Sequence, residues 1–260
     1  MSRINHEPGY VLHHYDWSET SLILEVFCRN HGRMALVAKG AKRPSSSFRP
    51  VLLPLQPLLL SWGGDAEIRT LKSAEWAGGK VMPTGERLLY GYYANELLMR
   101  LLAREDAHER LFDAYAALVH VLAGDGAGDA LHAAALRSFE LILLRESGHL
   151  PALDQQTLTL KALESPAAYT LDAQNGLRAA TTITDKAAPA APWLAGASWT
   201  ALSRALASDM PFAAIFQACA DLPGEQRTAL RLLLRELLDH HCGTNMLRTR
   251  QLFQDLQAFQ

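Results

Sequence analysis

The sequence predicts an α+β protein in two parts. A small N-terminal β-barrel occupies residues 1–80, and a mostly α-helical domain with a small β-hairpin insertion occupies residues 81–260. Three observations carry this. Short aliphatic and β-branched runs separated by turn residues fill the first 80 positions, the pattern of a small barrel. Beyond Gly85 the apolar residues recur at helical spacing instead. Between Ala167 and Ala179 two short runs flank Gln174-Asn175-Gly176, a hairpin turn in which asparagine and glycine supply the required left-handed backbone.

Within the barrel, Leu22–Phe27 and Met34–Ala38 read as strands joined by a turn at His31-Gly32. Gln56–Trp62 and Ile68–Trp76 form a second pair around Gly63-Gly64-Asp65. Trp17 is expected to start the second strand. Trp17, Trp62 and Trp76 are expected to pack in the core or at the barrel ends, since indole gains much by burial, with stacking on nucleic-acid bases as the alternative for each. Gly78, Gly79, Pro83 and Gly85 mark the boundary, and Thr84 is a candidate helix N-cap. From Leu88 to Leu102 the chain is apolar round most of a helix. Its polar stripe, Glu96, Arg100 and Arg104, reads as a solvated ion-pair row.

Leu111, Phe112, Tyr115, Leu118, Val119 and Leu122 define one face of a second helix. The run Gly124-Asp125-Gly126-Ala127-Gly128 follows that helix and lacks a Lys-Ser/Thr, so it reads as a connection and not as a phosphate-binding loop. A third helix spans about Asp129–Ser147 with Gly148 as its stop. Three helices with short connections suggest an antiparallel bundle. The segment Ala180–Ala197, rich in alanine and proline, reads as a linker that closes a hairpin and linker region over 150–197. Ser198 and Ser208 are candidate caps for the helices after it. Leu222-Pro223-Gly224-Glu225 opens a longer helix with a leucine stripe from Leu230 to Leu238, and a last helix covers about Arg248–Ala258.

The chain has 260 residues and a net charge of -2, so any affinity for a polyanion must come from how charge is distributed. The distribution is uneven. From Arg29 to Arg49 the cations Arg29, Arg33, Lys39, Lys42, Arg43 and Arg49 occur with no Asp or Glu between them. Cations on a small barrel neutralise phosphates and release counterions, while a solvated, merely solubilising loop is the alternative. Gly40, Pro44 and Ser45-Ser46-Ser47 favour an exposed, mobile connection there. Arg69 and Lys72 on the last barrel strand extend the candidate DNA-binding set to Arg33, Lys39, Lys42, Arg43, Arg49, Arg69 and Lys72.

Cys28, Cys219 and Cys242 are few and far apart, which fits a reducing compartment. The N-terminus, with His6, Glu7 and Gly9, carries no apolar run of signal-peptide type, and no segment reaches membrane-span length. A cytoplasmic protein with no membrane partner is expected. No H-E-x-x-H, phosphate-binding loop or G-x-S-x-G is present, so no enzyme activity and no cofactor are expected. His240-His241-Cys242 lacks the spacing of a zinc site.

The segments V-L-H-x-x-x-W-S-E-T-S-L, G-R-x-x-L-V-A-K-G-A-K, P-L-x-P-L-L-L and E-I-R-T-L-K-S-A-E resemble the N-terminal domain of the RecO family of bacterial recombination mediators. The likeness continues through Asn95–Leu102, Leu136–Leu144 and Leu247–Phe253 and is weak between about Leu150 and Ala197. It implies an OB-fold barrel followed by a helical domain, and binding and annealing of single- and double-stranded DNA. It also implies partnership with RecR, and through it with RecA, in a nucleoid-associated DNA repair and recombination role. Many relatives carry a cysteine cluster after the position of Gly148. Here Leu150–Ala180 has no cysteine, so no structural zinc is expected and the hairpin must be held by packing. The resemblance further implies a site for the acidic, Phe-ending tail of single-strand-binding protein. Arg137 matches the family segment best, with Arg100, Arg104 and Arg145 as its candidate neighbours. An RNA-binding adaptor and a non-catalytic interaction module are the alternatives.

Overall fold

The computed structural model describes residues 3–79, 82–124, 128–180, 191–244 and 246–258. The chain divides into two compact units. One comprises Met1–Gly126 together with Leu247–Gln260, and the other is Ala127–Met246.

The first unit is built on a closed barrel. Its strands are β1 (Arg3–Asp16), β2 (Leu22–Cys28), β3 (Gly32–Ala38), β4 (Leu58–Gly63) and β5 (Arg69–Trp76). They close in the order β1-β2-β3-β5-β4. Only β3 and β5 run parallel. β1 serves both edges: Gly9–Asp16 pairs with β2, and Arg3–Gly9 pairs with β4. This five-stranded closure is an OB-fold. Inward-facing Val11, Leu24, Val26, Met34, Leu36, Leu58, Leu60, Trp62 and Leu71 fill it, as the two-residue period of a strand requires.

A bulge between Val11 and His13 lets one β1 strand turn the barrel corner. It takes Leu12 out of the ladder. The Leu12 carbonyl then accepts a hydrogen bond from Asn95 Nδ2 at 3.0 Å, and Asn95 Oδ1 accepts one from the Tyr115 hydroxyl at 2.6 Å. Asn95 lies on α1 (Glu86–Leu101) and Tyr115 on α2 (Glu109–Leu122), so both helices are keyed to the bulge. Around this network Tyr10 meets Tyr115 edge-on at 5.0 Å, and Phe27 meets Phe112 at 5.5 Å. Burial pushes the Tyr10 phenol up to about 12. Glu86 and not Thr84 opens α1, with Gly85 at the cap position.

The chain leaving α1 then runs beside the barrel. The Glu105 N–H donates to the Arg33 carbonyl at 2.9 Å, and Gly32, at φ +66, lies so close that an added Cβ would sit 1.8 Å from the Asp106 carbonyl oxygen. Only glycine permits both that backbone conformation and that approach. α7 (Arg248–Ala258) packs on α1. Glu96 pairs with Arg100 as the row requires, but it also does more: its carboxylate accepts from the N–H groups of Arg248 and Thr249, each at 3.0 Å, and from the Thr249 hydroxyl at 2.8 Å. It thereby satisfies donors that α7 leaves open at its N-terminus. Arg104 lies past the end of α1, so the expected three-member stripe is broken there.

In the second unit α3 (Asp129–Glu146) packs against α5 (Pro211–Asp221) and α6 (Gly224–His241), while α4 (Gly196–Leu206) packs against α5. The expected bundle of the first three helices is therefore replaced: α1 and α2 belong to one unit and α3 to the other. Ser198 is inside α4, and Met210, not Ser208, takes the cap position of α5. The hairpin forms where expected, as β6 (Ala168–Asp172) and β7 (Gly176–Ala179). β8 (Leu194–Ala195) makes it a three-stranded sheet, in a place read as linker. The rest of that linker, 181–190, and residues 125–127 of the glycine-rich connection lie outside the described residues.

Candidate nucleic-acid interface

The basic loop between β3 and β4 is built from a succession of tight turns. Backbone N–H groups of Ala41, Arg43, Ser46, Arg49 and Val51 each donate to the carbonyl three residues earlier, at 3.0–3.4 Å. Ala41 and Leu52 are buried against the barrel core, with Phe48 and Val51 packed beside them. The loop is thus exposed, as its composition suggests, but anchored by an apolar underside. That anchoring fixes where its cations stand. Lys39, Lys42, Arg43 and Arg49 are all exposed, and Lys39, Arg43 and Arg49 form no ion pair among the described residues. Lys42 differs: its ammonium lies 3.1 Å from Asp16 and 3.3 Å from the Ser18 carbonyl.

The other cations of the sequence patch are used inside the fold. Arg29 bridges Glu109 and Asp113, at 3.0 and 3.1 Å. Arg33 donates to the Met99 carbonyl at 2.8 Å and lies 3.9 Å from Glu25. Arg69 pairs with Glu105 at 3.1 Å. Arg33 and Arg69 thus have partners within the fold, as Lys42 does, whereas Lys39, Arg43 and Arg49 have no ion pair among the described residues. Lys72 remains exposed on β5. The sequence hid this because most of the partners lie far along the chain: Glu109 and Asp113 for Arg29, Met99 for Arg33 and Glu105 for Arg69.

The tryptophans also depart from expectation. Trp62 is buried, but Trp17 is 63% exposed and Trp76 is 54% exposed. Trp17 sits in the turn between β1 and β2 and does not start a strand.

Comparison with known proteins places this interface in context. Residues 1–79 match the family model described as Recombination protein O N terminal, and residues 82–251 match Recombination protein O C terminal. Three relatives, each named DNA repair protein RecO, cover nearly the whole of both chains. That of Variovorax paradoxus is 63% identical over 258 residues, 98% of each chain. Those of Albidiferax ferrireducens and a Polaromonas species are 57% identical over 256 residues, 98% of this chain and 97–98% of theirs. The chain belongs to the RecO family.

In this RecO-family chain the four arginines expected to meet an acidic tail are divided between the units, Arg100 and Arg104 in the first and Arg137 and Arg145 in the second. Each has an internal acceptor. Arg100 pairs with Glu96 at 3.1 Å. Arg104 bonds Glu25 and, at 3.2 Å, Glu67. Arg145 donates to the Leu206 carbonyl. Arg137 lies 2.8 Å from Glu140, whose side chain is fully buried. A carboxylate at position 137 would face that buried carboxylate and destabilise the helix core, so charge reversal there cannot isolate a binding effect.

The cysteine-free segment after α3 is cross-linked by hydrogen bonds. The Thr157 N–H donates to the Leu177 carbonyl, and the Leu177 N–H to Thr157 Oγ1, both at 2.8 Å. Glu164 N–H donates to the Tyr169 hydroxyl at 2.9 Å, and Trp199 Nε1 to the Tyr169 carbonyl at 3.2 Å. His241 stacks on His149 at 4.1 Å. Its pKa is lowered by burial and by the adjacent imidazoles of His149 and His240. Among the described residues no group of three or more His, Cys, Asp or Glu side chains could hold a metal ion, and no helix is long and apolar enough to cross a membrane.

Proposed function

We propose that this chain is a cytoplasmic DNA repair and recombination mediator without catalytic activity. It binds DNA through the cations of the β3–β4 loop, chiefly Lys39, Arg43 and Arg49, with Lys42 and Lys72 beside them. The observation that carries this is an anchored loop on an OB-fold whose Lys39, Arg43 and Arg49 form no ion pair among the described residues, in a chain of the RecO family. Family membership supports the rest of the mechanism. The protein would hold single- and double-stranded DNA, anneal complementary strands and, with RecR, help RecA onto DNA coated by single-strand-binding protein, whose acidic tail the helical elements would take through Arg100, Arg104, Arg137 or Arg145. None of these steps makes or breaks a covalent bond, so binding energy suffices.

The test is salt dependence. Each phosphate contact on a single strand adds about −0.7 to the slope of log affinity against log salt. Replacing Lys39, Arg43 and Arg49 together by Glu should flatten that slope by about 2. Affinity should fall alike on every sequence, because phosphate contacts carry no base information. Strand annealing should fall with it, while binding of a labelled acidic, Phe-ending peptide stays at the wild-type level. An unchanged slope would reduce the loop to a solvated surface.

A further inference from the structure

The turn that carries Trp17 is joined directly to the basic loop. The Gly40 N–H donates to Ser21 Oγ at 3.3 Å, and the Lys42 N–H donates to the Thr20 carbonyl at 2.9 Å. The Lys42 side chain adds its bond to the Ser18 carbonyl and its ion pair with Asp16. Inside the turn, Trp17 N–H donates to the Ser21 carbonyl at 3.1 Å, and Ser21 N–H returns to Ser18 Oγ at 3.1 Å. A five-residue connection is thus tied at both ends and across its middle, yet its largest side chain stays mostly in water. Trp76, the other exposed barrel tryptophan, has no such link to the loop in the bonds described.

We infer that Trp17 is a base-stacking residue, held on a rigid turn beside the cations that neutralise the strand's phosphates. The inference rests on the DNA-binding reading above and adds a contact to bases, which that reading does not contain. An exposed indole gives up most of the burial that a large ring gains. A flat aromatic face on a fixed mount next to cations is what a single strand requires, because every base has a π-face and stacking tolerates any sequence. Glu19 on the same turn is an exposed carboxylate. It keeps phosphates off the turn itself, so the turn offers the ring and the loop offers the charge.

The experiment compares wild type, Trp17→Ala and Trp17→Phe on two probes: an oligothymidylate, and a strand of equal length made of abasic sites, which keeps the phosphates and removes the bases. Trp17→Ala should weaken oligothymidylate binding about 5- to 150-fold, the span of one lost stacked base. Its salt slope should match wild type, since no phosphate contact is lost. Trp17→Phe should keep most of the affinity. On the abasic strand all three proteins should bind equally. Equal binding of oligothymidylate by wild type and Trp17→Ala overturns the inference. So does an equal loss on both probes, which would assign Trp17 to holding the turn. Failure of the wild type to bind either probe overturns the DNA-binding reading itself, a result that neither of the other outcomes resembles.

Discussion

Glu25→Ala should cost about 2–4 kcal/mol of stability, because Glu25 and Arg33 are largely buried while Arg104 is 40% exposed. Glu25 lies on β2, 2% exposed, where the L-I-L-E-V-F-C run of an inner strand gives it no local company. It is tolerated because Arg104 reaches it from the segment after α1 and Arg33 lies 3.9 Å away on β3. Alanine leaves both guanidinium groups facing a space without a counter-charge, and Glu67, exposed at the far side of Arg104, compensates poorly from water. Urea unfolding followed by tryptophan fluorescence measures the loss. Replacing Glu25 by Leu together with Arg104 by Met should recover part of it, since the cost is that of the orphaned charge. A loss below about 1 kcal/mol for the single variant would show that Glu25 is solvated and that the seam between β2, β3 and the post-α1 segment is held by packing alone.

The second large effect is at Glu96. Removing its carboxylate takes three hydrogen bonds from the start of α7, and bonds to a charged group are worth about 1.5–3 kcal/mol each at most, so Glu96→Ala should cost about 2–4 kcal/mol. Hydrogen exchange of the α7 amides should speed up first. The effect is also pH dependent. Burial alone would raise the Glu96 pKa, but the Thr249 N–H and hydroxyl, the Arg248 N–H and the Arg100 guanidinium together hold it below the ordinary carboxylate value. A carboxylate whose pKa is depressed in the folded state contributes its stability above the unfolded value of about 4.3 and loses it as pH falls through the folded value. The protection difference between wild type and Glu96→Gln should therefore be full at neutral pH and shrink in acid below about pH 4. No difference at neutral pH would show that α7 is held by the stack of Tyr90 on Phe253 and by Arg250 over Tyr93 rather than by the carboxylate.

These two residues mark where the sequence could be read and where it could not. Elements set by local period or local turn chemistry were legible: the strands around His31-Gly32, the hairpin at Gln174-Asn175-Gly176, and α7 at Arg248–Ala258 all lie where spacing puts them. The basic loop was legible as a patch of charge. What could not be read was which charges the fold consumes. Glu96 and Arg248 are 152 positions apart, and Arg33 finds its acceptor 66 positions on, so no window of sequence holds both partners. Trp17 was misassigned for a related reason. An apolar ring next to a strand reads as core unless a tertiary bond fixes the turn that exposes it, and here the bonds come from Gly40 and Lys42 in another loop. β8 is too short to have a period at all, and it exists because Tyr169 and Ala168 present an edge to it.

The return of Leu247–Gln260 to the first unit sets an order on biosynthesis. The OB-fold, α1 and α2 emerge first, but α7 cannot join them until all of Ala127–Met246 has been translated. At about 5–20 residues per second that wait is roughly 6–24 s, long against the millisecond-to-second folding of a small β-barrel. For that interval the nascent first unit offers an α1 face that α7 later covers, so a chaperone that recognises exposed apolar helix has a defined window in which to act.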